Sequence, residues 1–339
     1  MPFFANTCLA NVVNDARITL ADVAAASGVA ISTVSRALSN PGRVHDATRA
    51  RIVHAADELG YVSGSGLRTR AVALVVPDIT NPYFFGIIRG TQHALRTAGY
   101  SLLLIDTEES EEVEYETLHR LRHLYDGVVL AASRLTDRQL IDLARRVPVV
   151  AVNRQTTGVP TVFIDTPSGV TQALQHLKSL GHKRIAFAAG PEGSWSSERR
   201  WRALTEAAGD VEVLRVGPFI PTLEAGAAAA EATLALDVTA CIVFNDQLAI
   251  GMLQRMRSRG VRVPEDFSLV GCDDSYGAEI CEPQLTTITA PIEAASRTAV
   301  AMLLTAFDGS RYPEARQSAV LPTHLTVRGS SGPAPKEAR

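Results

Sequence analysis

The sequence predicts a small all-α helix-turn-helix headpiece followed by an α/β domain of two lobes, built on two doubly wound parallel sheets. Three short helix patterns occupy residues 19–60, and a Ser- and Gly-rich stretch follows at 63–66. Apolar strand-like runs then alternate with amphipathic helices. The 339 residues, of which 46% are hydrophobic and 20% charged, are too many for one ordinary core.

The three headpiece helices have distinct start and stop signals. Thr19 can cap the first helix, with Asp22 at the third helical position, where its carboxylate can close a capping box. Gly28 ends this helix. The second helix is predicted over 31–38, before the turn residues 40–42, and the third over about 46–59, before Gly60.

The rest of the chain carries a repeated strand–helix pattern. Apolar runs predict strands at 72–76, 101–105, 127–130, 147–152, 184–189, 211–216, 240–244 and 268–271, with helices such as 85–98 and 111–124 between them. About ten strands over roughly 260 residues favour two sheets rather than one. Ligands of such folds bind outside the carboxyl ends of the strands, so we expect a ligand cleft between two lobes.

Charge and composition narrow the function classes. The net charge is −3, yet residues 1–70 hold seven basic against five acidic side chains, as in a small DNA-binding module on an acidic body. The absence of a long apolar run or a basic-flanked signal segment favours a cytoplasmic protein without a membrane partner. Four scattered cysteines favour buried thiols over disulfides or zinc, and His119 and His123 lack a third metal ligand nearby.

One face of the second helix carries side chains suited to DNA reading. Val34 and Leu38 lie one turn apart and can pack against Val23 and Leu20 of the first helix. The opposite face then presents Ile31, Ser32, Ser35 and Arg36. An arginine can bind guanine bidentately, and hydroxyls can bind bases or phosphates. On periodicity alone, a solvated three-helix cap is the alternative.

Ordered motifs extend over nearly the whole chain. The headpiece reads ITLADVAAASGV at 18–29 and STVSRAL at 32–38, and the match continues with VVPDITNPYF at 75–84, LGHKRI at 180–185, FND at 244–246, GCDD at 271–274 and PQLTTI at 283–288. In these motifs the chain closely resembles the lactose-repressor (LacI/GalR) family of bacterial transcription regulators. The resemblance implies a homodimeric DNA-binding regulator, most often a repressor, on pseudo-palindromic operator DNA. It implies no enzymatic activity and no cofactor.

The resemblance also assigns the DNA-binding positions. It places Ile31, Ser32 and Arg36 at the bases, and gives backbone or auxiliary roles to Thr19, Ser35, Arg43 and Thr48.

Two features depart from the family pattern. Ala30 stands where a serine usually caps the second helix, a loss of about 1 kcal/mol. The hinge is about six residues short and contains glycines, which leaves Leu67 as the candidate minor-groove wedge.

The second domain resembles periplasmic sugar-binding proteins, whose two lobes close on a small-molecule effector; in the family this is most often a sugar, and a nucleobase is the alternative. The resemblance places nine side chains in the cleft: Tyr83, Phe84, Asn153, Asp165, Trp195, Arg200, Phe219, Asn245 and Asp273. Aromatic faces stack on rings, and the polar groups bind hydroxyls. Each has an alternative: Phe219 as core, Asp165 as a strand-end cap, Trp195 as an exposed loop residue, Asp273 serving a turn with Asp274, and Arg199 competing for the inward position of Arg200.

Domain boundaries complete the expectation. We expect an N-terminal extension at 1–17, the headpiece at 18–62, the hinge at 63–71, a first lobe from 72–162 and 291–318, a second lobe from 163–290 and 319–329, and a flexible tail from 330–339.

Two rival functions share the α/β fold. A solute-binding protein would carry a signal peptide and no headpiece, and a sugar-processing enzyme would display a nucleophile or metal set.

Overall fold

The computed structural model describes residues 18–39, 43–59, 69–307 and 318–336. The chain divides into two compact units, Met1–Arg68 and Thr69–Arg339. The expected N-terminal extension and Leu67 of the hinge lie outside the described residues.

The first unit consists of α1 (Leu20–Ser27), α2 (Ile31–Ser39) and α3 (Asp46–Leu59). The predicted capping box is present: the backbone N–H of Asp22 donates to the Thr19 hydroxyl, and the Thr19 N–H donates to the Asp22 carboxylate at 2.7 Å. Gly28 ends α1 at φ 68°, in the left-handed region that glycine adopts without steric cost.

A small apolar core holds the three helices together. Its buried members are Val23, Ala24, Val34, Ala37, Ile52 and Ala56, with Leu20 and Leu38 packed against them. The predicted packing of α2 against α1 is therefore confirmed. This packing turns the opposite side of α2 toward solvent, which makes that side available to another molecule.

The second unit contains two six-stranded sheets. The first sheet, in the order β11-β5-β4-β3-β1-β2, comprises β1 (Ala71–Val76), β2 (Ser101–Asp106), β3 (Gly127–Ala131), β4 (Val149–Val152), β5 (Thr161–Ile164) and β11 (Ser318–Leu321). The second, in the order β12-β10-β9-β8-β6-β7, comprises β6 (Arg184–Ala188), β7 (Glu212–Val216), β8 (Ala240–Val243), β9 (Ser268–Asp273), β10 (Thr286–Thr289) and β12 (His324–Thr326).

Nine helices cover the sheets in the described part of this unit. They are α4 (Pro82–Thr97), α5 (Glu111–Arg120), α6 (Asp137–Arg146), α7 (Thr166–Ser179), α8 (Trp195–Ala207), α9 (Gly226–Leu234), α10 (Asp246–Ser258), α11 (Tyr276–Ile280) and α12 (Ile292–Phe307). Strands covered on both faces must be apolar throughout, which is why β1 reads AVALVV. No helix within the described ranges is long and apolar enough to cross a bilayer.

The chain passes between the lobes three times, after β5, β10 and β11. The expected boundaries at 162/163 and 318/319 fall a few residues early, because β5 continues to Ile164 and β11 to Leu321 in the first sheet. The sheets are parallel except at β12, which pairs antiparallel to β10. Only Pro322 and Thr323 join β11 to β12, so the chain enters the second sheet without the crossover a parallel strand needs.

The expectation of a flexible tail from residue 330 is wrong for the segment 330–334. The hydroxyl of Ser330, which is fully buried, donates to the Leu269 carbonyl at 2.6 Å and accepts from the Thr286 N–H at 2.8 Å. The buried ring of His182 contacts the Gly332 carbonyl at 3.1 Å. The small and polar residues of this segment predict exposure to solvent. In the structure their polar groups instead form hydrogen bonds at the edge of the second lobe.

Candidate DNA-reading surface and effector cavity

The outward face of α2 is exposed as the helical spacing predicts. Ile31 is 51% exposed, an unusual position for a large apolar side chain in a unit this small. Ser32 and Arg36 are also exposed, and Ser35 is half-buried. Ala30 supplies its carbonyl to the N–H groups of Thr33 and Val34 at the start of α2, but it has no side-chain oxygen to cap the helix.

Positive charge surrounds this face. Arg36 and Arg43 are exposed, and α3 adds Arg49 and Arg51. Among the described residues of this unit, no carboxylate lies within ion-pair distance of Arg36, so its guanidinium is free to bind an external acceptor. Thr48 is half-buried near the start of α3. The surface therefore combines an apolar contact, hydroxyls and a free arginine.

A partly open cavity of about 50 Å³ lies in the second unit, where the strands of both sheets end. Both lobes contribute to its wall, which consists of Asn81, Tyr83, Phe84, Glu109, Ala132, Arg134, Asn153, Ser194, Ser196, Arg200, Pro221, Phe244, Asn245 and Asp273. These residues follow the carboxyl ends of parallel strands, except Asp273, which is the last residue of β9; this is the position predicted for a ligand cleft.

Six of the nine side chains predicted for the cleft lie in this wall: Tyr83, Phe84, Asn153, Arg200, Asn245 and Asp273. The structure does not bring the other three into it. Asp165 caps α7 through the Ser168 N–H, Phe219 packs against the core of the second lobe, and Trp195 packs edge-on against Phe163 at 5.5 Å. The Trp195–Phe163 contact joins the two lobes, since α8 belongs to the second and β5 to the first.

Tyr83 and Asn153 form a rigid part of the first-lobe wall. The Asn153 side-chain amide donates to the Tyr83 hydroxyl at 2.8 Å and accepts from the Ile164 N–H at 2.9 Å. Asn153 adopts φ 55°, a left-handed conformation that asparagine tolerates better than most residues. Burial, together with the nearby Asp273 carboxylate, raises the pKa of Tyr83, so the phenol stays neutral and can still donate its hydroxyl proton.

Arg200 is the inward-facing member of its pair, since it is 5% exposed whereas Arg199 is exposed. Its guanidinium lies 4.9 Å from the Phe244 ring centroid, donates to the Thr166 hydroxyl at 3.0 Å and also donates to the Phe244 carbonyl. Within the described ranges no carboxylate approaches to ion-pair distance. A buried cation without a carboxylate partner has unused donors facing the cavity.

Two neighbouring carboxyls lie in and directly behind the second-lobe wall. Asp273 is buried at φ 117°, and burial together with the Asp246 carboxylate raises its pKa well above the usual range. Asp246 accepts from the Thr287 hydroxyl at 2.6 Å and from the Ser275 N–H at 2.7 Å, which fixes the loop that carries Asp273. Asp274 instead pairs with Arg328 at 2.7 Å, so it points away from Asp273.

The sequence reading missed Glu109 and Arg134 in the cavity wall. Glu109 follows β2 and Arg134 follows β3, so the rule that ligands meet the carboxyl ends of strands could have identified both. Their identities gave no further signal, because charged residues are common in surface loops of any protein.

A larger cavity of about 530 Å³ lies beside the first, between α4, the loop after β9 and the start of α12. Tyr83 and Asp273 belong to the walls of both cavities. The larger cavity is rimmed by exposed side chains such as Arg89 and Tyr276, whereas the smaller one gathers buried polar groups from two lobes. Because a ligand site needs convergent polar groups as well as volume, the smaller cavity is the candidate effector site, and the larger cavity adjoins it through Tyr83 and Asp273.

Comparisons with known proteins identify the family of both domains. Residues 19–63 match the profile of bacterial regulatory proteins of the lacI family, and residues 174–331 match a periplasmic binding protein-like domain. The chain is 33% identical to the transcriptional repressor CytR of Escherichia coli (strain K12) over 331 residues, covering 92% of this chain and 96% of CytR. It is 31% identical over 337 residues to the transcriptional regulator DegA of Bacillus subtilis (strain 168), covering 94% and 99%.

A solved structure shows the same similarity in three dimensions. The complex of the transcriptional regulator CelR with cellobiose shares 36% identity and a TM-score of 0.69, covering 93% of this chain and all of that one. The headpiece exposes one face of α2, the second unit has a cavity between two α/β lobes, and the relatives match over nearly their full length. These three findings lead to one conclusion. The chain belongs to the lacI family of bacterial regulatory proteins and is a DNA-binding transcriptional regulator with a small-molecule effector domain.

Proposed function

We propose that the protein is a sugar-responsive transcriptional repressor that acts in the bacterial cytoplasm, as a homodimer on operator DNA and without catalysing a reaction. The observation that carries the sugar assignment is the effector cavity, in which buried donors and acceptors from two lobes converge on one small space. The relative CelR is described in complex with cellobiose, which supports the same ligand class here.

The chemistry of the wall fits hydroxyl groups. Arg200 offers donors only, Asp273 offers a carboxyl group, and Asn245 sits in the same wall with an amide already bonded to the Leu248 N–H and the Pro221 carbonyl. A hydroxyl both donates and accepts, so it can use each type of group. A site that binds hydroxyls in this way rejects analogues that lack them, because its buried groups would be left unpaired.

The proposed contacts extend to the predicted site residues. Ile31, Ser32 and Arg36 read bases, and Thr19, Ser35, Arg43, Thr48 and Leu67 contact the backbone or minor groove. In the effector cleft, Asp165, Trp195 and Phe219 lie outside the cavity wall, so in this proposal they contact the effector only when the lobes rearrange.

The DNA half of the proposal is tested by mobility shift on the chain's own upstream DNA. We expect Arg36→Ala to weaken specific binding by a factor of about 10 to 100, since one bidentate base contact contributes about 1–3 kcal/mol. Arg138→Ala is the matched control, because Arg138 is exposed on α6 of the other unit. Equal operator affinities for the two variants would contradict the assignment of α2 as the reading helix.

The effector half is tested by thermal shift with neutral sugars and nucleobases. A sugar that raises the melting temperature and changes operator affinity supports the proposal, whereas a response to nucleobases alone overturns it. Arg200→Ala should abolish the shift, and Arg199→Ala should retain it because Arg199 is exposed and stacks at 5.5 Å from the Trp195 ring centroid. A full ligand response from Arg200→Ala would place the effector elsewhere.

A further inference from the structure

An ion pair between Glu109 and Arg134 forms part of the effector cavity wall on the first lobe. The Arg134 Nε donates to Glu109 Oε2 at 2.8 Å, and its Nη2 donates to the same oxygen. The side chains are only 24% and 12% exposed, so the pair is largely removed from solvent. Glu109 lies on the loop after β2 and Arg134 on the loop after β3.

The surrounding structure holds both members of the pair in place. The Arg134 N–H donates at 2.9 Å to Glu114, which is 1% exposed and also accepts from the Ser133 hydroxyl. The Arg134 Nη1 donates to the Ala132 carbonyl at 3.0 Å. Glu109 adopts φ 61°, a left-handed conformation with a steric penalty for a residue with a Cβ. Backbone strain collects at functional sites, and several hydrogen bonds hold Arg134 in place. These two features favour a positioned recognition element over a chance ion pair on the surface.

The pair leaves one acceptor and further donors unused. No hydrogen bond within the described part of the chain occupies Oε1 of Glu109, and Arg134 has five N–H groups, of which three are engaged. We propose that Glu109 and Arg134 together determine effector specificity, selecting a neutral polyhydroxylated ligand over its phosphorylated counterpart. This inference rests on the proposed sugar effector and adds that the sugar carries no charge.

The selection follows from charge. Adjacent hydroxyls of a neutral sugar donate to Glu109 and accept from Arg134 while the ion pair stays intact. A phosphate must compete with Glu109 for Arg134, and it meets the carboxylate at close range in a site of low dielectric. A ligand whose phosphate faces the first lobe is therefore disfavoured by the like charge of Glu109, although Arg200 of the second lobe carries no carboxylate partner among the described residues.

The test is calorimetric titration of the full-length protein with cellobiose, glucose, ribose, glucose 6-phosphate and ribose 5-phosphate. We expect the wild type to bind a neutral sugar at least about tenfold more tightly than its phosphorylated counterpart. Glu109→Gln removes the repelling charge and frees Arg134, so this ratio should shrink about tenfold or more. Asp266→Asn is the matched control, since it removes a carboxylate from an exposed ion pair with Arg262 and should leave the ratio unchanged.

The outcomes separate this inference from the function on which it rests. A wild type that binds a neutral sugar and its phosphate equally, or a Glu109→Gln variant with an unchanged ratio, overturns the inference and leaves the sugar effector standing. Binding of none of the five ligands overturns both. Operator binding without ligand serves as the folding check, and Glu109→Gln should match the wild type there.

Discussion

Replacing Asp246 by Asn removes a buried carboxyl from behind the effector cavity without changing its shape. Asp246 is 1% exposed, and burial is the main cause that raises its pKa to about 7. Its two oxygens accept from the Thr287 hydroxyl and the Ser275 N–H. An asparagine can still accept from Ser275, and the Thr287 hydroxyl can rotate to accept from the new amide.

The direction of the pH effect follows from the raised pKa. A carboxyl that titrates near 7 when folded and near 3.8 when unfolded stabilises the fold at acidic pH, and this contribution is lost as the pH rises through 7. One pKa unit corresponds to 1.36 kcal/mol, so the wild type should lose about 2–3 kcal/mol relative to Asp246→Asn between pH 5 and pH 8. The neighbouring Asp273 carboxyl acts in the same direction, because its own pKa is raised by burial and by Asp246.

Chemical denaturation at pH 5, 6, 7 and 8 measures this loss. Asp266→Asn is the control: its ion pair with Arg262 lowers the pKa of Asp266 to about 2, so that carboxyl is ionised at every pH used. The stability difference between wild type and Asp266→Asn should therefore stay flat. Parallel profiles for the wild type and Asp246→Asn across the same range would refute the reasoning.

Three further substitutions test the packing. Thr91 is fully buried on α4 and its hydroxyl has no partner among the described residues, so Thr91→Val should raise the free energy of unfolding by about 1 kcal/mol, whereas the exposed Thr97→Val should not. A Cβ on Gly251 would lie 2.1 Å from the Leu223 carbonyl oxygen, and Gly251→Ala should lower stability by about 2 kcal/mol in urea titrations despite its better helix propensity. Tyr83→Phe leaves the buried Asn153 amide without its acceptor and should cost about 1–3 kcal/mol; an unchanged denaturation midpoint would show that another group replaces it.

The headpiece was predictable from sequence because its signals are local. Each signal depends only on residues close together in the chain. The structure shows the capping box between Thr19 and Asp22, and it shows that Gly28 ends the first helix. Strands that are continuously apolar were predictable for the same reason, since strands covered on both faces have this composition. The short strands β5, β10, β11 and β12 were not predicted, because each includes a polar residue among its three or four positions, whereas the equally short β4 and β8 are apolar throughout.

The effector cavity was only partly predictable, because its composition depends on where separate loops meet. Asp165 illustrates the limit: its carboxylate can serve a ligand or a helix start, and only the position of Ser168 shows that it caps α7. Glu109 and Arg134 illustrate the converse, since they lie 25 residues apart in the chain and nothing local indicates that they meet. The polar tail was misread for the same reason, as His182 and Ser268 lie far from it in sequence.

Because the cavity wall draws polar groups from both lobes, an effector can change the balance between open and closed lobes. Each lobe has its own apolar core, and in the proposed mechanism the lobes move relative to each other about the three connections that follow β5, β10 and β11. A ligand shifts the balance between open and closed lobes only by its difference in affinity for the two. A sugar held by Arg200 of one lobe and Glu109 of the other gains its second set of contacts only on closure, whereas a ligand confined to one lobe gains nothing. The Trp195–Phe163 contact already favours closure, so the sugar needs to add less than the full free energy of bringing the lobes together.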